Sequence, residues 1–439
     1  MNELYSHPIK QKATANLIAD PELLDYKKLR REIKNAGSPI PLLRKAARES
    51  AVILNNRYEQ DKDITQIVAG RAWVVDEILR LAWNAINWPD TNDISLIAVG
   101  GYGRGELMPY SDIDLLILTR KTRNTKYKDY VSSFLTMLWD IGLEPFHSVR
   151  SIRQCKQEAI KDITIATSLM ESRMLTGPYD LYQLMLKTTN SGKVWPIKQF
   201  VRAKIDEQII RHQKYHDVDY ALEPNVKTSP GGLRDIQTIA WICRRYFGTS
   251  SFSDLVKLGF LKEPEENMIN KGQQFLWKIR YGLHYLQNRS EDRLLFDKQK
   301  ELSQLLGYKN DEKSLGIEKL MKHYYREVAN LRELNDVLLQ YFDEIILRSG
   351  ERKKITPLNH RFQVCNNYIE VINPNAFTQT PSALLEIFVL MGENPQIKGI
   401  HASTIRLLRD NRQLIDDSFR NDINNINLFI RLLRTQNHM

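Results

Sequence analysis

The spacing of apolar residues predicts that the chain begins with helices. Apolar side chains recur every three or four residues over 42–58 and 64–88, which is typical of amphipathic helices that pack one face against a core. The second segment ends next to Pro89, which together with the following aspartate favours a helix stop. We therefore expect residues 1–90 to form an N-terminal helical segment.

The pattern then changes to short apolar runs. Residues 94–99 and 113–118 are rich in branched apolar side chains and predict two β-strands, followed by a helix over 127–141. A third strand is expected within 142–153, broken early by Pro145. These elements predict a small α/β core inside a helical chain.

From residue 152 onward the spacing predicts an almost entirely helical structure. The helical segments are 160–176, 196–216, 233–247, 273–287, 299–306 and 317–347. A charged stretch, 348–359, indicates a linker. The last section is expected to hold a strand at 369–372 and helices at 382–391, 403–411 and 425–433.

These changes in pattern predict four domains and a fold that is mainly α with an embedded small α/β core. The predicted boundaries are a helical segment over 1–90, the α/β core over 91–155, a helical domain over 156–348 and a C-terminal section over 349–439. We find no internal repeat in the sequence.

Composition narrows the class of protein. The 439 residues are 42% hydrophobic and 26% charged, which is ordinary for a folded chain and too apolar for a disordered one. Uninterrupted apolar runs are only a few residues long, so we expect no membrane span, and the N-terminus lacks the pattern of a secretory signal. The three widely spaced cysteines predict neither disulfides nor zinc, which favours a cytoplasmic location. The net charge of +10 favours an anionic partner without saying which.

One segment, 99–117, carries a pattern typical of catalytic chemistry. A strand leads into a glycine-rich turn, and a second strand opens with Asp112 and Asp114. Side chains alternate along a strand, so these two carboxylates should point the same way, about 6–7 Å apart. Such a pair is costly unless a cation neutralises it, and carboxylates suit magnesium or manganese. The residues expected to approach phosphate are Gly100, Gly101, Gly103, Arg104 and Ser111.

The combination matters more than either part, because an isolated Asp-x-Asp is usually a solvated turn. Here the two aspartates open an apolar strand about ten residues after a strand-glycine-glycine turn, which favours a metal site. The Lys-Ser or Lys-Thr ending of a P-loop is absent, and so is an acidic residue at the ribose-binding distance of a dinucleotide fold.

The segment resembles the DNA polymerase beta-like nucleotidyltransferase superfamily, in which Gly-Gly is followed after about ten residues by Ser-Asp-x-Asp. The string 100–114 resembles the bacterial family of PII uridylyltransferase/uridylyl-removing enzymes in particular. Three further strings, 220–237, 293–297 and 397–406, resemble the same family, so the likeness runs along essentially the whole chain. It implies a polymerase beta-like mixed sheet followed by helical domains.

The second string has its own chemistry. Gly231 and Gly232 lead directly into a predicted helix, and a glycine-fronted helix N-terminus favours phosphate. Lys227 and Arg234 would balance the charge of a triphosphate. The other interpretation is a tight helix entry with a local ion pair. A related string occurs in the enzyme that adenylylates glutamine synthetase, so it does not choose the nucleotide.

The sequence departs from the superfamily where a third acidic residue usually stands. We keep Glu144, Glu223 and Asp235 as alternatives, together with a site that needs no third carboxylate. His147 is interpreted as structural rather than as a metal ligand. Many relatives carry histidine where this chain has Met108, which bears on activity if that histidine touches substrate.

The resemblance also sets expectations for the chain's end. Relatives continue into an HD-type phosphohydrolase domain, which removes uridylyl groups, and two glutamine-sensing ACT domains. The chain ends at Met439, and its His216-Asp217 doublet is interpreted as a surface pair, so we expect neither activity. The implied reaction transfers UMP from UTP to a tyrosine of the PII nitrogen-signalling protein, with Mg²⁺ or Mn²⁺ and without nucleic acid or membrane. The alternatives are adenylylation of another protein or RNA, and a non-catalytic PII-binding remnant.

Overall fold

A computed structural model describes residues 17–121, 125–215 and 221–435. The chain divides into two compact units, Met1–Arg332 and Glu333–Met439, which are taken separately below. None of the helices in the described ranges combines the length and the apolarity that crossing a bilayer requires.

Helices make up most of the first unit. Their bounds are α1 (Tyr26–Asn35), α2 (Ile40–Glu59), α3 (Ile64–Asn84), α4 (Gly100–Gly103), α5 (Lys128–Ile141), α6 (Ile152–Lys161), α7 (Ile163–Met170), α8 (Tyr179–Thr189), α9 (Ile197–Gln213), α10 (Leu233–Phe247), α11 (Phe252–Lys257), α12 (Glu263–Gln287), α13 (Phe296–Leu305) and α14 (Gly316–Phe342). A 3₁₀ turn covers Thr125–Tyr127, and the division between the two units falls within α14.

Four strands of the first unit form a mixed sheet: β1 (Ile94–Ala98), β2 (Ile113–Thr119), β3 (Pro145–Ser151) and β4 (Arg173–Thr176). Their order is β3-β2-β1-β4, with β1 antiparallel to both neighbours and β2 parallel to β3. Ala98 pairs with Leu115. The end of β1 and the start of β2 therefore lie side by side, so the turn between them and the two aspartates share one edge of the sheet.

The sheet is fixed by apolar packing on a helical layer. Every residue of β1 is buried. Ile97 and Leu116 pack with side chains of α6, α7 and α8, among them Cys155 and Leu181. At roughly 25 cal/mol per Å² of buried apolar surface, this core supplies much of the free energy that holds the polar turn in place.

The second unit has its own small sheet and core. Its strands are β5 (Ile355–Pro357), β6 (Phe362–Cys365), β7 (Tyr368–Val371) and β8 (Gly399–Ile400), in that spatial order. Its helices are α15 (Ala376–Gln379), α16 (Ala383–Glu393), α17 (Ala402–Asn411), α18 (Asp417–Asn421) and α19 (Ile423–Leu433), with a π-helical turn at Asp343–Leu347 and a 3₁₀ turn at Arg412–Leu414. Phe362, Ile369 and Phe377 are fully buried at its centre.

The structure corrects the predicted elements in three places. The expected helix over 160–176 is two helices followed by β4, whose place is set by pairing with β1 rather than by local pattern. Pro145 begins β3 instead of breaking it, because the first residue of an edge strand needs no ladder N–H. The region after 152 holds a second sheet that the helical interpretation missed apart from the strand at 369–372.

Candidate active site

The turn between β1 and β2 is built so that Asp114 approaches the backbone closely. Val99 N–H donates to the Asp114 carbonyl at 3.1 Å, which ties the start of the turn to β2. Gly100 has a φ of +59°, and a Cβ there would stand 3.1 Å from Asp114 Oδ2. Glycine is therefore required at position 100 for both backbone conformation and space.

Gly103 serves packing. A Cβ at this position would stand 2.2 Å from the carbonyl oxygen of Glu171 and 3.0 Å from that of Ala98. No side chain fits that gap, so Gly103 allows α4 to lie against the segment that precedes β4. Gly103, which was expected to approach phosphate, therefore packs against the backbone before β4 and is not among the residues that line the cavity.

A cavity of about 330 Å³ opens beside the turn. It brings together eight of the residues predicted from the sequence, which are Gly100, Gly101, Arg104, Ser111, Asp112, Asp114, Lys227 and Arg234. The last two come from a segment more than 100 residues away in the chain. The glycine turn and the second string of the sequence thus meet in one place.

The two aspartates form an electrostatically costly pair. Burial raises the pKa of Asp114 to about 6, the charge of Asp112 adds to the rise, and Lys227 and Arg104 oppose it. The Ser111 Oγ in the same wall is buried and has no hydrogen-bond partner among the described residues. Two hard oxygen donors in one cavity and an unsatisfied hydroxyl suit a divalent cation with a phosphate. In the described ranges no group of three or more His, Cys, Asp or Glu has metal-binding geometry, so these residues would supply only part of a ligand set.

Arg104 is fixed by two carboxylates. Its guanidinium lies 2.7 Å from Glu106 Oε2 and 2.7 Å from Glu171 Oε1, and the indole N–H of Trp241 also donates to Glu171. Burial alone would lower the pKa of Arg104, but Glu106 and Glu171 raise it above its ordinary value. The cation is therefore permanent and has a fixed position beside the turn.

Two further basic side chains, Lys227 and Arg234, also line the cavity. Lys227 Nζ lies 3.7 Å from Asp292 Oδ2, and burial followed by the charge of Arg280 lowers its pKa. The Arg234 guanidinium lies 5.3 Å from the centre of the Trp241 ring, and burial followed by the charge of Arg104 lowers its pKa. Cations held this close together favour a highly charged anion.

Gly231 and Gly232 shape a loop and lie outside the cavity wall. Gly231 N–H donates to Asp235 Oδ2 at 2.7 Å, and the next three N–H groups donate to the carbonyls of Ser229, Val226 and Lys227. The N-terminus of α10 therefore has no N–H left among these four for phosphate, contrary to the expectation. Gly231 has a φ of +73°, and a Cβ there would stand 2.3 Å from the Val328 carbonyl.

None of the three proposed third carboxylates lines the cavity in the described part of the chain. Asp235 is fully buried and forms an ion pair with Arg211 at 2.7 Å. Glu223 accepts a hydrogen bond from the Phe296 N–H, and Glu144 is exposed just before β3. The carboxylates that do line the cavity besides the aspartate pair are Glu106, Glu171 and Glu207.

The remaining candidates also have assigned places. His147 is exposed on β3, and Met108 is fully buried. His216, Asp217 and Tyr220 lie outside the described residues.

Sequence reasoning missed several residues of the wall. Lys204 is almost fully buried, lies 4.0 Å from the centre of the Trp241 ring and forms an ion pair with Glu207 at 2.7 Å. Arg280 lines the cavity as well and lies 2.6 Å from Asp292. These residues stand on long helices without a motif, so local spacing carried no signal for them.

The string 293–297 and the residue before it bind the string 220–237 through backbone hydrogen bonds. Asn225 and Arg293 form an antiparallel bridge, and Val226 N–H donates to the Asp292 carbonyl at 2.8 Å. The carboxylate of Asp292 in turn lies near Lys227. The strings 220–237 and 293–297, about 60 residues apart in sequence, therefore pair with each other and together position Lys227 in the cavity wall.

Three family models match parts of this chain. A nucleotidyltransferase domain matches residues 79–169, the GlnD PII-uridylyltransferase model matches 199–339, and the third domain of uridylyltransferase GlnD matches 362–439. The chain therefore contains domains of the GlnD uridylyltransferase family. The nucleotidyltransferase domain confirms the expected mainly helical fold with a nucleotidyltransferase core, and such domains in general use a divalent cation.

Relatives in the GlnD family are similar along nearly the whole chain. The bifunctional uridylyltransferase/uridylyl-removing enzyme of Pseudomonas aeruginosa (strain LESB58) is 52% identical over 416 residues, which are 95% of this chain and 46% of the relative. The enzyme of the same name from Ectopseudomonas mendocina is 52% identical over 94% of this chain, and that of Azotobacter vinelandii is 50% identical over 95%. The chain thus spans about half the length of these relatives, since each match covers 46% of the relative.

Proposed function

We propose that this chain transfers UMP from UTP to a tyrosine hydroxyl of a PII signalling protein and releases pyrophosphate. The observation that carries the proposal is one cavity in which Asp112 and Asp114 face a cluster of cations. The names of the relatives support the choice of uridylyl as the transferred group. The names of the family models support PII as the acceptor.

The two carboxylates are the proposed holders of Mg²⁺, with Mn²⁺ as the alternative. The ion, when bound, supplies positive charge that favours deprotonation of the attacking hydroxyl and stabilises the leaving pyrophosphate. Asp112 and Asp114 would hold the ion through their carboxylate oxygens, and the Ser111 hydroxyl would donate to a phosphate oxygen. Lys227 and Arg234 hold the remaining phosphate charge.

The covalent change is a displacement at the α-phosphorus. The tyrosine oxygen forms a new P–O bond, the bond from the α-phosphorus to the bridging oxygen breaks, and the hydroxyl proton passes to solvent. Arg104 changes no bond. Because Glu106 and Glu171 hold its guanidinium in place, it offers positive charge at a fixed point to the charge that develops on phosphate.

The test is direct transfer. The full chain is mixed with PII protein, Mg²⁺ and each nucleoside triphosphate in turn, and the mass of PII is followed. We expect one UMP per PII subunit, from UTP only. Transfer of AMP to PII, or no transfer to PII by a folded chain, would contradict the proposal.

A matched pair of variants tests the site. Asp112→Asn removes a ligand charge and little volume, so we expect transfer to fall below detection while the melting temperature is unchanged. Asp129→Asn makes the same change at an exposed position on α5 and should transfer at the wild-type rate. Wild-type transfer by Asp112→Asn would show that the metal site lies elsewhere.

A further inference from the structure

A second cavity of about 470 Å³ adjoins the first. The two share part of their walls, including Arg104, Glu171, Gln237 and Trp241. Beyond this common wall the second cavity is less charged, and Ile236 and Phe252 contribute apolar surface. A ligand that reaches from one cavity into the other would thus have one charged end and one flat, weakly polar end.

The first cavity is poorly suited to a nucleobase. Its walls carry five basic and five acidic side chains, and the rings of Tyr102 and Trp241 in its wall are 1% and 4% exposed. Phosphate and a cation match such walls, whereas an aromatic base needs apolar surface with a few placed polar groups. The second cavity offers that combination.

Helix α10 connects the two cavities along one face. Arg234, Gln237 and Trp241 line the first cavity, and Gln237, Trp241 and Arg244 line the second. The spacing of three, four and three residues keeps these side chains on the same side of the helix. From Arg234 to Arg244 the helix rises about 15 Å, so one surface presents a phosphate-binding end and a second binding end.

Gln237 lies at the junction of the two cavities and is 7% exposed. Among the residues that the structure describes, none donates a hydrogen bond to its buried Oε1. An unpaired buried acceptor costs free energy that a ligand donor would recover. Arg244 lies seven residues, or about two helical turns, further along α10 and lines the second cavity. The pair therefore presents one acceptor and one set of donors to the same ligand.

We propose that the second cavity binds the uracil ring of the nucleotide, with Gln237 Oε1 accepting a hydrogen bond from uracil N3–H and Arg244 donating to a ring carbonyl. Uracil carries a donor at N3 between two carbonyl acceptors. Cytosine has an acceptor at N3, which would oppose the Gln237 oxygen, and adenine has no ring N–H on its pairing edge. Gln237 is thus a specificity-determining residue, and this inference rests on the proposed uridylyl transfer.

The experiment measures nucleotide binding to the full chain by calorimetry, with Mg²⁺ and without PII. The probes are UTP, CTP, ATP and the N3-methyl derivative of UTP, which lacks the donor. We expect the wild-type chain to bind UTP roughly tenfold more tightly than the N3-methyl derivative, the effect of one well-placed hydrogen bond. CTP and ATP should also bind more weakly than UTP.

Two variants isolate the residue. Gln237→Leu should bind UTP and its N3-methyl derivative with the same, weakened affinity. Gln304→Leu makes the same substitution at an exposed position on α13, outside both cavities, and should keep the wild-type affinity and preference. Inorganic tripolyphosphate should bind all three proteins equally, which also shows that each is folded.

Gln237→Leu that still prefers UTP over the N3-methyl derivative overturns the inference. The inference is also overturned if Gln237→Leu binds UTP normally but needs a higher concentration of PII to reach half its maximal transfer rate. The second cavity would then bind the tyrosine of PII instead of uracil. Selective UTP binding by a wild-type chain that modifies no PII refutes the proposed function instead, and leaves the uracil site standing.

Discussion

Replacing Gly103 with alanine should push the glycine turn away from the segment before β4 that contains Glu171. The added Cβ would stand 2.2 Å from the Glu171 carbonyl oxygen, whereas ordinary contact begins at 3.4 Å. The obstacle is backbone rather than the end of a flexible side chain, so one of the two segments has to move by about 1 Å.

The energetic cost follows from that displacement. Overpacking a tight contact costs about 1–3 kcal/mol, and we expect the upper end here because Glu171 is 4% exposed and bound by Arg104 and Trp241. In a unit of this size, about 3 kcal/mol corresponds to a fall of roughly 5 °C in melting temperature. Moving Glu171 also releases Arg104, so UTP should bind more weakly.

Gly101→Ala is the matched control in the same turn. Its Cβ would have the Arg104 guanidinium as its nearest neighbour, at 3.5 Å, which is ordinary contact. We expect its melting temperature to stay within about 1 °C of wild type, since alanine is also the better helix former. Calorimetric melting of the two variants is the assay. Equal melting temperatures would refute the argument that the close approach of Gly103 to Glu171 positions the turn.

Two further predictions concern buried charges behind the site. Asp76→Ala removes the acceptor of the Tyr102 hydroxyl hydrogen bond at 2.6 Å and leaves the buried Arg173 without its carboxylate partner. Urea denaturation should therefore show that the free energy of unfolding falls by about 3–5 kcal/mol, and by less for Asp76→Asn. Equal losses for the two variants would contradict this prediction. Burial, with the charges of Arg280 and Lys227, lowers the pKa of His284 in the folded chain although Asp292 opposes them. Unfolding therefore takes up a proton below about pH 6.5, so the urea midpoint should fall from pH 7.5 to 5.5, and His284→Gln should show a shallower fall.

Local pattern was sufficient for the elements that carry the chemistry. The predicted strands 94–99 and 113–118 match β1 and β2 to within one residue, and the helix over 233–247 matches α10. Asp112 directly precedes β2, Asp114 is the second residue of β2, and both line the cavity. Periodicity and turn chemistry are properties of neighbouring residues, so one sequence is enough to read them.

Local pattern failed where distant pairing decides the structure. Four residues, Arg173–Thr176, form β4 because β1 lies beside them, and nothing in their own spacing separates them from the preceding helices. Gly231 and Gly232 looked like a phosphate-binding helix start, but Asp235 and three carbonyls already accept the first N–H groups. Which acceptor binds a given backbone N–H group is decided only when the loop has folded.

The sequence by itself determined that this is a helical chain with a nucleotidyltransferase core, and it named the two carboxylates and most of the phosphate-binding candidates. Only the tertiary structure decided what surrounds them. Lys204, Glu171 and Gln237 come from α9, the segment before β4 and α10, and they meet because those elements pack around one cavity. A motif records residues that are neighbours in the chain, whereas the charge, burial and unpaired acceptors of a site arise from residues that become neighbours in space.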